Sequence, residues 1–270
     1  MLTYFDYQTF WPVFPIGIAI ATTAMSTGID GAVFWSPVFI FLFGLPPEVA
    51  IACGIFIEVF GFGSGIYGYA IKKKILYKEM RLFLFLAVIF GLIGAMVSKI
   101  LPQSIIFAWL GISAIFLFYV NIKKALKKKK IIKDYKNENV IKYKFLGSVL
   151  NSIGGFMTGL IGVGLGEVNN YYFLSKNKLS IPFASGNSVF LIAFTAFICS
   201  IFNVIYFSET LPPDKIKEVY SILIFAVPSV VIGARIGVLF AHSINPRFFY
   251  YFVAFLFIFI AGFSFYRTFS

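Results

Sequence analysis

Three carboxylates stand in stretches of this chain that are otherwise apolar. Glu58 falls near the middle of one such stretch. Asp30 and Glu167 lie in two glycine-broken turns, Ser26-Thr27-Gly28-Ile29-Asp30-Gly31-Ala32 and Gly162-Val163-Gly164-Leu165-Gly166-Glu167. Ionisable groups within apolar spans are costly, and by default they mark ion or proton pathways. Asp30, Glu58 and Glu167 are therefore the proton-coupling candidates. The competing role for Asp30 and Glu167 is to cap their own short helices. Glu58 has no nameable partner and suits a protonated resting state. Arg235, nearer the end of its span, is placed to snorkel into headgroups.

The two breaks offer a second chemistry. Helix starts at Gly31 and Gly166, with Gly164 beside the latter, direct unpaired amides and a partial positive charge at whatever lies between them, which suits a small anion. Ala184-Ser185-Gly186-Asn187-Ser188 adds hydroxyl and amide groups at the start of another apolar helix, and Ser185 and Ser188 share a face. Such groups can donate to an anion at less cost than a charge. The expected binding set is Gly31, Gly164, Gly166, Ser185, Gly186, Asn187 and Ser188. Against it stand plain capping and close helix packing by small residues. For the breaks themselves, the alternative is that both hairpins span fully and end in surface turns.

The elements that must position these groups follow from composition. A mean hydropathy of +0.90 with 13% charged residues identifies an integral membrane protein. Period-two alternation is absent, so the spans are expected to be helices. Ten apolar segments are legible: Phe10 to Thr27, Ala32 to Gly44, Glu48 to Ala70, Met80 to Leu101 and Gln103 to Ile122, then Phe145 to Gly162, Gly166 to Ser175, Ala184 to Phe207, Val219 to Ala241 and Arg247 to Phe269. The second segment of each set of five is too short to cross the ~30 Å hydrocarbon core. The expected fold is all-α and polytopic. Two inverted repeats of five segments each open with a short broken or re-entrant hairpin. Membrane halves 1–122 and 145–270 flank a basic linker, 123–144.

The repeat is visible in the sequence itself. A shift of 134 residues pairs Gly28 with Gly162, Leu45 with Leu179, Ala50 with Ala184, Phe56 with Phe190 and Phe60 with Phe194. A shift of 139 pairs Ile93-Gly94-Ala95 with Ile232-Gly233-Ala234 and Phe116-Leu117-Phe118 with Phe255-Leu256-Phe257. The extra five residues are placed in the polar stretch Ser208 to Glu218, where an insertion disturbs no packed element. A duplicated, interrupted, apolar chain reads as a transporter with its site between the repeats.

Net charge of +12 raises the question of nucleic acid, but its distribution points to a membrane. Most of the 23 Lys and Arg residues fall in Lys72 to Arg81, Lys123 to Lys144, Lys176 with Lys178, and Arg247. Alternation of spans puts these gaps on one side, which the positive-inside rule makes the cytoplasm. The N terminus is then expected outside a bacterial-type plasma membrane, with the first span retained. Lys127 to Lys130 suits anionic lipid headgroups better than nucleic acid. Cys53 and Cys199 lie in apolar spans, so neither a disulfide nor a metal site is expected.

Two further motifs are set aside. Gly63-Ser64-Gly65-Ile66-Tyr67-Gly68 fits G-x-G-x-x-G but lies late in a helix with no preceding strand, and it reads as a packing face. His242, the single histidine, has no partner nucleophile or base, so an enzyme is not expected.

The glycine turns and the later Gly94-Ala95 and Gly233-Ala234 pairs resemble the sulfite exporter TauE/SafE family of membrane transporters, over nearly the whole chain. The second copy carries the resemblance best, through Gly162, Gly164, Gly166, Glu167, Ala184, Gly186 and Ser188. The first keeps Gly28, Gly31, Pro37, Ala50 and, before the helix, Pro46 and Pro47. Leu165, Tyr171, Asn187 and Asp30 depart from the family pattern. The resemblance implies export of a small sulfur oxyanion or organosulfonate, driven by the proton gradient. No cofactor is expected.

The reading is a secondary transporter alternating one midplane anion site between two sides, with protons as the coupling ion. The alternatives are a permease for a different small anion and a passive channel-like membrane protein. The oligomeric state is left open.

Overall fold

A computed structural model of the protein describes residues 7–27, 30–126, 141–240 and 246–269. After a single turn, Tyr7–Phe10, come five helices: α1 Val13–Thr27, α2 Ala32–Leu42, α3 Pro47–Ile71, α4 Tyr77–Ile100 and α5 Gln103–Leu126. Five more follow: α6 Lys144–Ile161, α7 Leu165–Asn170, α8 Ile181–Thr210, α9 Pro213–Phe240 and α10 Pro246–Phe269. A π-helical turn, Tyr171–Lys176, prolongs α7. Among the described residues there is no strand. Helices α3, α4, α5, α8 and α9 contain segments long and apolar enough to cross a membrane. The protein is thus a polytopic helical membrane protein. The Lys127 to Lys130 run, most of the basic linker, Gly28, and His242 lie outside the described residues.

Helix boundaries follow local chemistry. Pro47 opens α3 after Pro46, with Glu48 in its first turn, and Gly162 ends α6 in the left-handed conformation at φ 77°. Two boundaries differ from the sequence reading. The polar stretch 208–218 is not a loop: Ser208 to Thr210 finish α8, and α9 already begins at Pro213 with Asp214 in its first turn. Proline at a helix start and an acid near the N-terminal dipole stabilise helix there despite polarity. Helix α8 also starts earlier than Ala184, at Ile181. Ser185 to Ser188 therefore lie beyond the first turn.

Each short helix folds back on its predecessor. In the first pair, the rings of Phe10 and Phe43 lie 5.2 Å apart at the open end, Gly17 faces Trp35, and Gly31 faces Ala24 near the turn. In the second pair, Lys142 N–H donates to Asn177 Oδ1 (2.9 Å) and the Tyr172 hydroxyl to Tyr143 O (3.0 Å) at the open end, while Gly154 faces Leu165 near the turn. Helices α3 and α8 pack antiparallel: Cys53 lies across from Asn203, Gly65 against Val189, and Tyr69 against Gly186. The first hairpin opens beside Leu45 and Val49 at the start of α3. The second opens beside Phe83, past its end. The two hairpins therefore enter from opposite ends of the α3/α8 pair.

The packing scheme maps onto itself when α1–α5 are exchanged for α6–α10. Helix α4 packs on α6 as α9 packs on α1, α4 on α8 as α9 on α3, and α2 on α3 as α7 on α8. Helices α3/α8 and α5/α10 pair with their own counterparts. Two swapped bundles result, α1-α2-α3-α9 and α4-α6-α7-α8, each borrowing one helix from the other half of the sequence.

Glycine makes the borrowed contacts possible, because a side chain there would collide with backbone. A Cβ on Gly94 would strike Phe156 O, and one on Gly155 would strike Ala87 O. Gly233, the counterpart of Gly94, sits against Ile18 O, and Thr22 Oγ1 donates to Gly233 O (3.1 Å). Within the G-x-G-x-x-G stretch, only Gly65 serves tight packing, against Met25 and Val189. Nothing lies within 4 Å of a Cβ at Gly63 or Gly68.

Candidate functional site at the helix breaks

The two breaks meet inside the protein. Gly162 N–H donates to Thr158 O (2.8 Å), and the chain then turns through Gly164 at φ 141° into α7. This leaves the amides that start α7 in need of acceptors. Leu165 N–H donates to Thr158 Oγ1 (3.0 Å), and Gly164 and Gly166 N–H both donate to Asp30 Oδ2 (2.9 and 3.1 Å). At the other break, Ala32 N–H in the first turn of α2 donates to Glu58 Oε1 (2.8 Å). Ala32 is itself wedged between Gly54 of α3 and Gly162, where an added Cβ would come within 3.2 and 3.1 Å of it.

Asp30 thus caps the short helix of the other half, not its own. Glu58, which had no visible partner in the sequence, caps the helix that follows Asp30. Asp30 is 0% exposed and Glu58 3%. The Glu167 carboxyl is within hydrogen-bonding reach of Asp30. No lysine or arginine pairs with Asp30 or Glu58 among the described residues.

Among the described residues, Asp30 Oδ1 and Glu58 Oε2 have no hydrogen-bond partner. A cavity of about 20 Å³ lined by Gly31, Glu58, Ala24, Trp35, Val230 and Ala234 adjoins Glu58, with room for roughly one water. Asn169, fully buried, has no partner at either side-chain atom among the described residues. It lies three residues past Gly166, on the same buried face of α7. Sequence reasoning passed over Asn169 and Thr158. Their only local signal is a polar type next to a glycine break.

The remaining sequence candidates lie elsewhere along α8. Asn187 Oδ1 accepts from Leu76 N–H (2.8 Å) and its Nδ2 donates to Phe183 O (2.7 Å). Ser185 is in hydrogen-bonding reach of the Tyr69 hydroxyl, and Gly186 presses on Lys74 O. These contacts lie at the end of α3, about 20 Å along the helix from Glu58 at 1.5 Å per residue. Ser188 is buried, and its hydroxyl has no partner. The structure brings together Gly31, Gly164, Gly166, Asp30, Glu58 and Glu167. It places Ser185, Gly186 and Asn187 at a separate junction. Arg235 is exposed on α9.

The arrangement can hold an anion on amides that currently take the chain's own carboxylates, and it can hold a proton among three acids. No curated protein and no solved structure matches the chain. The family model of the sulfite exporter TauE/SafE matches residues 13–264, nearly the whole sequence, and the chain belongs to that family of membrane transporters.

Proposed function

We propose that this chain is a proton-coupled secondary transporter that exports a small sulfur-containing anion, sulfite or an organosulfonate. Its two halves act as inverted repeats that share one site at the breaks. The observation that carries this reading is the seating of Asp30 on the Gly164 and Gly166 amides and of Glu58 on the Ala32 amide. An oxyanion would make the same bonds. Protonation of either carboxylate weakens its hold on the amides and leaves them to the substrate, so anion and proton are bound together. Gly31, Gly164 and Gly166 supply backbone donors, and Asn169 Nδ2 supplies a side-chain donor. Asp30, Glu58 and Glu167 carry the proton.

Close packing at the breaks favours a carrier over a passive pore, since the space beside Glu58 takes about one water. The test is uptake of radiolabelled sulfite into proteoliposomes under an imposed pH gradient. Accumulation above equilibrium is expected in the unmodified protein. In Glu58→Gln the pH-driven component is expected to vanish while the protein stays folded. Accumulation that ignores the gradient, or survives in Glu58→Gln, would remove the coupling. A panel of competing anions distinguishes sulfur oxyanions from other small anions.

A further inference from the structure

The α3/α8 interface is built differently at its two ends. Toward the end of α3 it is sealed: Gly65 lies on Val189, Tyr69 on Ser185 and Gly186, Gly186 on Lys74 O, and Leu76 N–H on Asn187 Oδ1. Lys74 Nζ lies 4.6 Å from the Phe183 ring centre. Toward the start of α3 the same helices part around a cavity of about 280 Å³, lined among others by Val49, Ala52, Cys53, Phe56 and Asn203.

The 134-residue shift relates the two ends residue by residue. Ala52 corresponds to Gly186, Cys53 to Asn187, and Asn203 to Tyr69. Val49 likewise corresponds to Phe183, so four residues of the cavity wall are counterparts of residues in the seal. Two polar groups that line the cavity, Ser200 Oγ and Asn203 Oδ1, have no protein partner. Buried polar atoms of that kind require water, and the volume has room for several molecules. The cavity's inner wall at Phe56 is two residues from Glu58, so it reaches the depth of the carboxylate on the other face of α3.

We propose that cavity and seal are two states of one gate, and that transport exchanges them. The swapped bundles rock about the α3/α8 interface until the Ala52/Asn203 end closes and the Gly186/Tyr69 end opens. In the present conformation the lysine-rich end is latched by Asn187, and a water-filled vestibule reaches from the opposite face to the depth of Glu58. In the exchanged conformation, Asn187 lines the vestibule on the lysine-rich side. This rests on the carrier reading above and adds the parts that move.

Native Cys53 reports the state. In Cys199→Ser, with Cys53 the sole thiol, a membrane-impermeant methanethiosulfonate is applied to vesicles of each orientation. Cys53 is expected to react only from the face opposite the lysines. Gly186→Trp, whose side chain cannot fit against Lys74 O, and the milder Asn187→Ala both unlatch the sealed end. Each folded variant is expected to slow Cys53 labelling by about tenfold, as a shift in population would. Labelling from the lysine face, no labelling from either face, or unchanged rates in both variants would overturn the proposal. The readout needs no substrate. Absent sulfite flux with intact labelling would therefore sink the transport assignment and leave the gate standing.

Discussion

Asp30 and Gly166 are 136 positions apart in the sequence and 3.1 Å apart as acceptor and donor. A carboxylate from one glycine break fills the amide site of the other, so the first half completes the helix start of the second, while Glu58 completes the start of α2 within its own half. The same geometry explains why Gly166 is a glycine. A Cβ there would lie 2.5 Å from Asp30 Oδ1 and 3.2 Å from Asp30 N.

Removing the acceptor separates its structural part from its charge. Asp30→Ala leaves the buried Gly166 amide without a partner, at about 1–3 kcal/mol, and the half-buried Gly164 amide without its acceptor. Its thermal midpoint in detergent is expected to fall. Asp30→Asn keeps a carbonyl oxygen for the amides, so it should melt close to the unmodified protein while losing pH-driven transport. Equal melting of Asp30→Ala and the unmodified protein would show that the seat carries no stability.

Gly166→Ala displaces the carboxylate without altering any charge, and it is expected to reduce transport and lower the melting temperature. Gly68→Ala is the matched control. Nothing lies within 4 Å of a Cβ at Gly68, and replacing a glycine inside a helix gains roughly 1 kcal/mol. Loss of transport confined to Gly166→Ala, with Gly68→Ala as stable as or more stable than the parent, is the expected pair of results in flux and melting assays.

Much of this architecture was legible because glycine breaks, prolines and apolar runs are local signals. The hairpin turns fall at Gly31 and Gly162 as the sequence reading places them, and the Gly94 and Gly233 pairs prove to be matching contact points. What escaped is what depends on contacts across the chain. Asp30 reads as a cap for its own helix because nothing near it in sequence reveals Gly164. Asn187 reads as an anion ligand because an amide among small residues looks the same whether it faces a substrate or the Leu76 amide. Lys99, at the end of α4, was absorbed into an apolar run. Its Nζ lies 4.2 Å from the centre of the Phe207 ring, which lines the larger cavity.

The packing also fixes which loops share a face. Leu76 bonds Asn187 and Lys142 bonds Asn177, so the lysine-bearing turns around positions 74, 142 and 178 gather at one end. Gly44 and Thr210 lie toward the other. Single cysteines at Gly44, Lys74, Lys178 and Thr210, in a background lacking Cys53 and Cys199, are expected to label from outside at 44 and 210 alone. Outside labelling at 74 or 178 would reverse the proposed orientation and with it the assignment of the lysine-rich end to the cytoplasm.

Asn169 offers a prediction in which stability and activity move in opposite directions. A buried amide with no hydrogen-bond partner is destabilising, and an apolar side chain of similar size removes that cost. Asn169→Leu is therefore expected to raise the melting temperature, by the equivalent of about 1 kcal/mol or more. If Asn169 Nδ2 meets the substrate anion when the breaks open, the same variant will transport poorly, with the loss appearing in the apparent KM for sulfite. Asn169→Asp places a fourth carboxyl beside Glu167 and Asp30 and should also weaken anion binding, most strongly at high pH where the added group is ionised. A stabilised Asn169→Leu with undiminished sulfite flux would show that the orphaned amide serves neither the fold nor the substrate. The donor set would then reduce to the backbone amides of the two breaks.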